Sequence, residues 1–271
     1  MILRDWLMEA SDRLNHAGVA SAKLEAQLLA GHAMLVDRAW ILSHPEHEVN
    51  ALALEGLLQR RENGEPLAYI LGYREFYGRK FRVDRNVLIP RHETEVLIEK
   101  ALETENKMLR VLDLGTGSGC IAITLKLERP EWDVWATDIS SGALQVAREN
   151  AETLGAEITF RHSNLFDYLE YEKFDLIVSN PPYIGRDENL PVEVKEFEPE
   201  TALFADNFGL EIYQKISKDI RCKLEKGGRL LLEIGHLQGK LVSNLFPGSK
   251  VHKDLDGNDR VVEWVYAEDK A

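Results

Sequence analysis

Cysteine is almost absent from this chain. Only Cys120 and Cys222 occur in 271 residues, far apart and outside any CxxC pair. That excludes a disulfide framework and a thiolate zinc site, and it favours a reducing compartment. The eight histidines show no metal-ligand spacing, so no metal is expected. Long apolar runs are missing too; none approaches the roughly 20 residues that span a bilayer. Met1-Ile2-Leu3-Arg4-Asp5-Trp6 lacks the basic start and apolar core of a secretory leader. A cytoplasmic protein without membrane association is expected. Basic charge is in deficit: 33 Lys and Arg face 46 Asp and Glu, for a net charge of −13. Duplex-binding surfaces usually carry a basic face, so direct nucleic-acid binding is not expected, and an acidic surface better steers a basic partner. Ser118, Ser179 and Cys120 have no base nearby in sequence, which leaves nucleophilic catalysis unsupported.

What remains is a globular composition, 44% hydrophobic and 29% charged, long enough for one large or two ordinary domains. Residues 1–75 read as helical. Leu3, Trp6, Leu7, Ala10 and Leu14 fall at helical spacing before Gly18 interrupts. Ser21 is placed to cap a second helix carrying Leu24, Leu28 and Leu35. A third runs from about Asn50 to Arg61 and stops at Asn63-Gly64. Residues 76–90 alternate and read as a β-hairpin linker turning at Asp84–Asn86. Arg91-His92-Glu93-Thr94-Glu95 then opens a helix. From Arg110 onward strands and helices alternate, which predicts an open, mostly parallel α/β sheet ending in an antiparallel hairpin around Asp256-Gly257-Asn258. The strand ending at Ile234 is expected to begin at Arg229, after a Gly227-Gly228 turn, and a helix is expected over 236–246.

Four motifs stand at the ends of successive strands. Gly115-Thr116-Gly117-Ser118-Gly119 joins a strand to a helix, where glycines allow a sharp turn and close approach of a ligand. The spacing is GxGxG, not the GxGxxG of dinucleotide sites. Asp138 ends the next strand, 19 residues beyond Gly119. An acidic residue there accepts from ribose hydroxyls; the alternative is a helix N-cap. Asn164-Leu165 follows the third strand, where Asn164 can accept from an adenine amino group and Leu165 can cover the ring, or Asn164 is an ordinary loop residue. Proline is scarce, nine in all, yet two are adjacent in Asn180-Pro181-Pro182-Tyr183, after the apolar strand Phe174–Ser179. Proline fixes its own φ and restricts the residue before it. The loop is therefore stiff, with an amide side chain and set carbonyls suited to gripping a planar –NH2 group. Together these motifs point to a methyltransferase that alkylates an amide or amino nitrogen using S-adenosylmethionine. The acidic stretch Asp187–Glu200 reads as a solvated loop or as a rim guiding a basic substrate.

The chain resembles the HemK/PrmC family of protein-(glutamine-N5) methyltransferases. The resemblance is carried by Pro66-Leu67-Ala68-Tyr69-Ile70-Leu71-Gly72, Glu75-Phe76-Tyr77-Gly78, Val87–Glu95, the glycine loop and Asn180-Pro181-Pro182-Tyr183-Ile184. It implies a Rossmann-like class I methyltransferase domain of seven strands (91–271), a small N-terminal helical bundle that binds release factors (1–75) and the hairpin linker between them (76–90). It also implies a substrate, the glutamine of the Gly-Gly-Gln loop of bacterial class-I peptide chain release factors. Cofactor contacts map to Gly115, Thr116, Gly117, Ser118, Gly119, Asp138, Asn164, Leu165 and Asn180; catalytic and substrate contacts map to Asn180, Pro181, Pro182 and Tyr183. Two departures are evident: His92 stands where the family usually has proline, and Asn164-Leu165 replaces an acidic-plus-bulky pair. Competing readings are a ribosomal-protein glutamine methyltransferase, an adenine-N6 DNA methyltransferase and a non-catalytic S-adenosylmethionine-binding module.

Overall fold

The computed structural model describes residues 1–105 and 108–267. In chain order, helices α1 (Leu3–His16), α2 (Ala22–Met34), α3 (Arg38–Ser43), α4 (Ala51–Glu62) and α5 (Leu67–Leu71) precede the strands β1 (Tyr73–Phe76) and β2 (Arg79–Arg82). Then come α6 (Glu95–Leu102), β3 (Arg110–Leu114), α7 (Cys120–Glu128), β4 (Asp133–Asp138), α8 (Ser141–Leu154), β5 (Thr159–His162) and β6 (Phe174–Ser179). The short α9 (Val192–Phe197), α10 (Glu200–Leu203) and α11 (Asp206–Gly209) lead to α12 (Glu211–Lys223), β7 (Leu224–Glu233), α13 (Gly239–Ser243), β8 (Lys250–Lys253) and β9 (Asp259–Val265). Two compact units result: Met1–Tyr73 with Leu190–Phe197, and Arg74–Asn189 with Glu198–Ala271.

The smaller unit is helical. Leu3, Trp6, Ala10 and Leu14 of α1 pack on Ala22, Ala26, Leu29 and Ala30 of α2, with Ile41, Leu54 and Leu58 closing the core. Alanines on α2 let the two helices approach. Arg61 is buried on α4, paired with Glu25 at 2.5 Å and Glu193 at 3.1 Å. Helices α3 and α5 were not expected; at six and five residues they are too short to show periodicity. Ser21 precedes α2 without a side-chain capping bond, whereas Asn50 caps α4 by accepting from Leu52 N–H at 3.2 Å.

The larger unit is built on a seven-stranded sheet of order β5-β4-β3-β6-β7-β9-β8. The first five strands in that order are parallel; β9 pairs antiparallel with β7 and with β8. Central parallel strands are covered on both faces and so read as apolar runs. Alternation then divides each strand between two cores. Val111, Leu176, Val178 and Leu231 join one with Ile98 of α6, Ile121 of α7 and Ala151 of α8. Leu112, Ile177, Leu230 and Leu232 join the other with Tyr213 and Ile216 of α12 and Val242 of α13. Each fully buried Leu or Ile contributes about 1.5–3 kcal/mol. The chain leaves β3 toward β4 on one side and returns to β6 on the other, so a crevice opens at the carboxyl ends of these strands.

Three local expectations are corrected. The hairpin of β1 and β2 turns at Tyr77-Gly78, not at Asp84–Asn86; both turn residues have positive φ, 49° and 72°, as a two-residue primed turn requires. Asp84–Val87 forms a separate hydrogen-bonded turn. Strand β7 starts at Leu224, and the Gly227-Gly228 turn is a bulge within it: Leu224 pairs Phe174, then Arg229 pairs Leu176. Helix α13 covers only Gly239–Ser243 of the expected 236–246.

Candidate active site

The crevice is a cavity of about 430 Å³. Gly115, Thr116, Gly117 and Ser118 line it beside Asp138, Asn164, Leu165, Asn180, Pro181 and Pro182. Residues scattered over 68 positions of sequence thus share one space. Gly119 and Tyr183 are not among its lining residues.

The glycine loop shows why each glycine is there. Gly115 and Gly117 have φ of 77° and 57°, and a Cβ on either would meet no atom within 4 Å. They leave space for a ligand to come close. Gly119, at φ 83°, serves packing instead: its Cβ would lie 2.8 Å from Ile123 and 3.2 Å from the Ala147 Cβ of α8. Asp113, fully buried, braces the loop from below. It accepts from the Thr116 hydroxyl at 2.6 Å and from Ala122 N–H at 3.2 Å. Burial raises its pKa to about 7, against those two hydrogen bonds.

Asp138 is half-buried. Its carboxylate accepts from Gly117 N–H at 2.9 Å and from Ser140 N–H at 2.8 Å. The cap of α8 is Ser140, whose hydroxyl accepts from Ala143 N–H at 3.1 Å, so Asp138 is not the cap. Burial raises the Asp138 pKa, opposed by these backbone donors. Asn164 is exposed, and Leu165 adopts φ 50°, an uncommon left-handed conformation for leucine. Ile139, exposed at 55%, supplies further apolar wall on the cavity.

At the end of β6, Ser179 donates to Leu114 O at 2.5 Å, locking β6 to β3. Asn180 donates its side-chain Nδ2 to the Thr94 hydroxyl oxygen at 3.3 Å, leaving Oδ1 as the available acceptor. Pro181 is buried and Pro182 half-buried. The Tyr183 ring packs into the core around Tyr213 rather than onto the cavity, and burial pushes its hydroxyl to about 12. Its carbonyl accepts from Gln238 Nε2 at 2.9 Å.

Several supporting residues escaped the sequence reading. Asn150, buried on α8, donates to Ser118 O at 2.8 Å and Arg82 O at 3.0 Å, and accepts from Arg82 N–H at 2.7 Å. Its signal was a polar residue on the apolar face with Ala143, Ala147 and Ala151. Glu95 accepts from Tyr77 N–H at 3.0 Å, tying the helix opening to the hairpin turn. Glu198 accepts from Arg91 at 2.5 Å and Ile89 N–H at 3.1 Å. Acidic residues of 187–200 are therefore partly internal: Glu198 holds Arg91, Glu193 pairs with Arg61, and Glu188 accepts from Gly185 N–H at 2.8 Å. His92 is exposed, opening a 3₁₀ turn over His92–Thr94.

The cavity offers what a methyl-donating nucleoside needs: an open glycine turn, a carboxylate at the neighbouring strand end and apolar side chains beyond it. Comparison with known proteins agrees. The PrmC N-terminal domain matches residues 5–72 and the Methyltransferase small domain matches residues 92–197. A methyltransferase from Pyrococcus furiosus shares the fold, with a TM-score of 0.54 at 17% identity over 70% of this chain and 90% of that one. The bifunctional methyltransferase of Rickettsia bellii is 38% identical across 96% of this chain, which spans only 54% of that protein. This chain thus covers about half the length of such relatives. The release factor glutamine methyltransferase of Koribacter versatilis is 42% identical, with 97% of this chain and 98% of that protein covered. The chain belongs to the release factor glutamine methyltransferase family.

Proposed function

We propose that the protein methylates the side-chain amide nitrogen of the glutamine in the Gly-Gly-Gln loop of class-I release factors, in the cytoplasm, using S-adenosylmethionine. One observation carries the reading: Asn180, Pro181 and Pro182 line the same cavity as Gly115–Ser118 and Asp138. Glycine loop, Asp138, Asn164 and Leu165 would hold the cofactor. When bound, it supplies an electrophilic methyl group on a sulfonium.

An amide nitrogen is a poor nucleophile because its lone pair is delocalised into the carbonyl. Asn180 Oδ1 and the Pro181 carbonyl, which has no competing N–H on its own residue, would accept the two N–H bonds of the substrate amide. Holding a reactant in its reacting orientation lowers a barrier by up to about 7–11 kcal/mol in ideal cases. The same acceptors stabilise positive charge growing on nitrogen. No strong base is required beforehand, since a methylated amide nitrogen becomes acidic and then sheds its proton. Residues 1–75 would add surface for the large protein partner.

The test is transfer of label from S-adenosylmethionine to purified release factor, with the modified residue located by mass spectrometry. Label on the Gly-Gly-Gln glutamine, lost on a variant factor lacking that glutamine, supports the reading. Label on a ribosomal protein or on adenine instead would overturn it. Asn180→Ala is expected to reduce turnover on the order of 10²–10³-fold, with cofactor affinity much less affected.

A further inference from the structure

Tyr183, expected at the substrate contact, packs its ring around Tyr213 and does not line the cavity. Another aromatic stands there instead. Among the described residues, Phe204 is the one aromatic side chain on the cavity wall. The backbone fixes its place. Ile184 N–H donates to Leu203 O at 3.0 Å, and Ala205 N–H donates to Ile184 O at 2.9 Å. This parallel bridge sets Phe204 beside Ile184, the residue directly after Tyr183. Phe204 and Ala205 are both extended, with φ of −99° and −131°, so their side chains leave on opposite sides. Ala205 is buried, while the half-buried Phe204 ring turns to the cavity and joins neither core of the larger unit.

The position of Phe204 in the cavity decides what the ring can touch. The cofactor-side residues stand at the ends of β3, β4 and β5. Phe204 is laced instead to the segment leaving β6, which lies on the other side of β3 in the sheet. That is the segment carrying Asn180, Pro181 and Pro182. The charges around the cavity point the same way. Among the described residues its lining cations are all ion-paired: Arg91 with Glu198, Arg186 with Asp206 and Lys215 with Glu211. The lining therefore favours a neutral acceptor over an anionic one.

We propose that Phe204 is a substrate-binding residue that sets specificity. Its ring is the wall against which the methylene stem and planar amide of the substrate glutamine lie. This rests on the assignment of a glutamine amide as the methyl acceptor. Asn180 and the Pro181 carbonyl hold that amide only by the edge that carries its two N–H bonds. Hydrogen bonds at one edge leave the group free to swing about its stem. A flat apolar face against the stem removes that freedom, and so keeps the nitrogen in its reacting orientation. Pockets for small groups commonly divide the work in this way, with aromatic walls for contact and a few polar groups for direction.

The experiment compares wild type with Phe204→Leu, Phe204→Ala and Phe204→Tyr in the full chain. It reads kcat/KM for release factor, Kd for S-adenosylmethionine and the urea midpoint. Phe204→Leu keeps an apolar side chain and removes the flat face. It is expected to lower kcat/KM roughly 10-fold, the scale on which an apolar pocket discriminates, with cofactor Kd and urea midpoint close to wild type. Phe204→Ala is expected to lose more. Phe204→Tyr, which keeps the ring, is expected to be faster than Phe204→Leu. Phe204→Leu matching wild type on release factor would overturn the proposal. A parallel loss of cofactor affinity would overturn it too, since that places the ring on the cofactor. So would Phe204→Tyr no faster than Phe204→Leu with both urea midpoints lowered, which marks a structural role. A wild type that methylates the glutamine of another protein, with the same ranking of variants, would support the aromatic wall and sink the release-factor assignment. A wild type that methylates adenine would overturn both.

Discussion

The Asp138 carboxylate reaches back across 21 residues to accept the Gly117 N–H at 2.9 Å. One group therefore joins the end of β4 to the glycine turn after β3, at the point where a ribose would lie. It also takes the Ser140 N–H, while Ser140 itself caps α8. The cap therefore falls to Ser140, and the Asp138 carboxylate stays on the cavity wall.

Asp138→Ala is expected to weaken S-adenosylmethionine binding by about 1.5–3 kcal/mol, the worth of a hydrogen bond to a charged group. Calorimetry on the full chain reads it. Because burial raises the Asp138 pKa, affinity is also expected to fall as pH drops toward the acid range. Unchanged affinity in a readily unfolded variant would make Asp138 a structural brace only.

Gly119→Ala is expected to destabilise the larger unit, since its Cβ meets Ile123 and Ala147. Overpacking costs about 1–3 kcal/mol, and a left-handed conformation adds about 1–2. Gly155→Ala provides the control: φ is 72° there but nothing lies within 4 Å, so only the conformational cost applies. Urea denaturation should rank Gly119→Ala as clearly the worse of the two.

Asp113 makes a pH prediction with a definite sign. Its folded pKa of about 7 lies above that of an unfolded aspartate. The folded state therefore holds more protons across that interval, and stability falls as pH rises from about 4, levelling off above the folded pKa. Asp113→Asn keeps a carbonyl to accept from Thr116 and cannot ionise. Denaturant curves at pH 5 and pH 8 are expected to show the variant gaining on wild type at the higher pH. Glu233 titrates in both proteins and cancels in the comparison.

Arg61→Ala is expected to cost about 3–5 kcal/mol, because removing one partner of a buried pair strands the other charge. Glu25, 14% exposed, is the charge left stranded, while Glu193, 44% exposed, stays solvated. Arg4→Ala breaks only exposed pairs, with Asp5 and Glu46, and should melt close to wild type. Circular dichroism at the helical band distinguishes the two.

The central strands were legible because burial on both faces writes them as apolar runs. Phe174–Ser179 is read at its observed bounds. The glycine loop, Asp138 and Asn180–Pro182 were legible because each is a local device: backbone freedom, a charge at a strand end, a doubly restricted turn. Short features were not. Helices α3 and α5 show no period, and the hairpin turn at Tyr77-Gly78 was missed because tyrosine rarely takes positive φ.

By itself, the sequence determined the alternation of elements and the chemical types available at the strand ends, since those follow from local pattern and backbone preference. It could not separate Gly119 from its neighbours. Only the packing of α7 on α8 shows that this glycine serves contact while Gly115 and Gly117 line the cavity. Nor could it send Tyr183 into the core while Asn180 faces the cavity, because a turn's side chains are divided by what lies beneath them. The bonds from Asn180 to Thr94 and from Asn150 to Ser118 join residues 86 and 32 positions apart. Such pairings are decided by sheet order and helix placement, which bring together in space what spacing along the chain keeps apart.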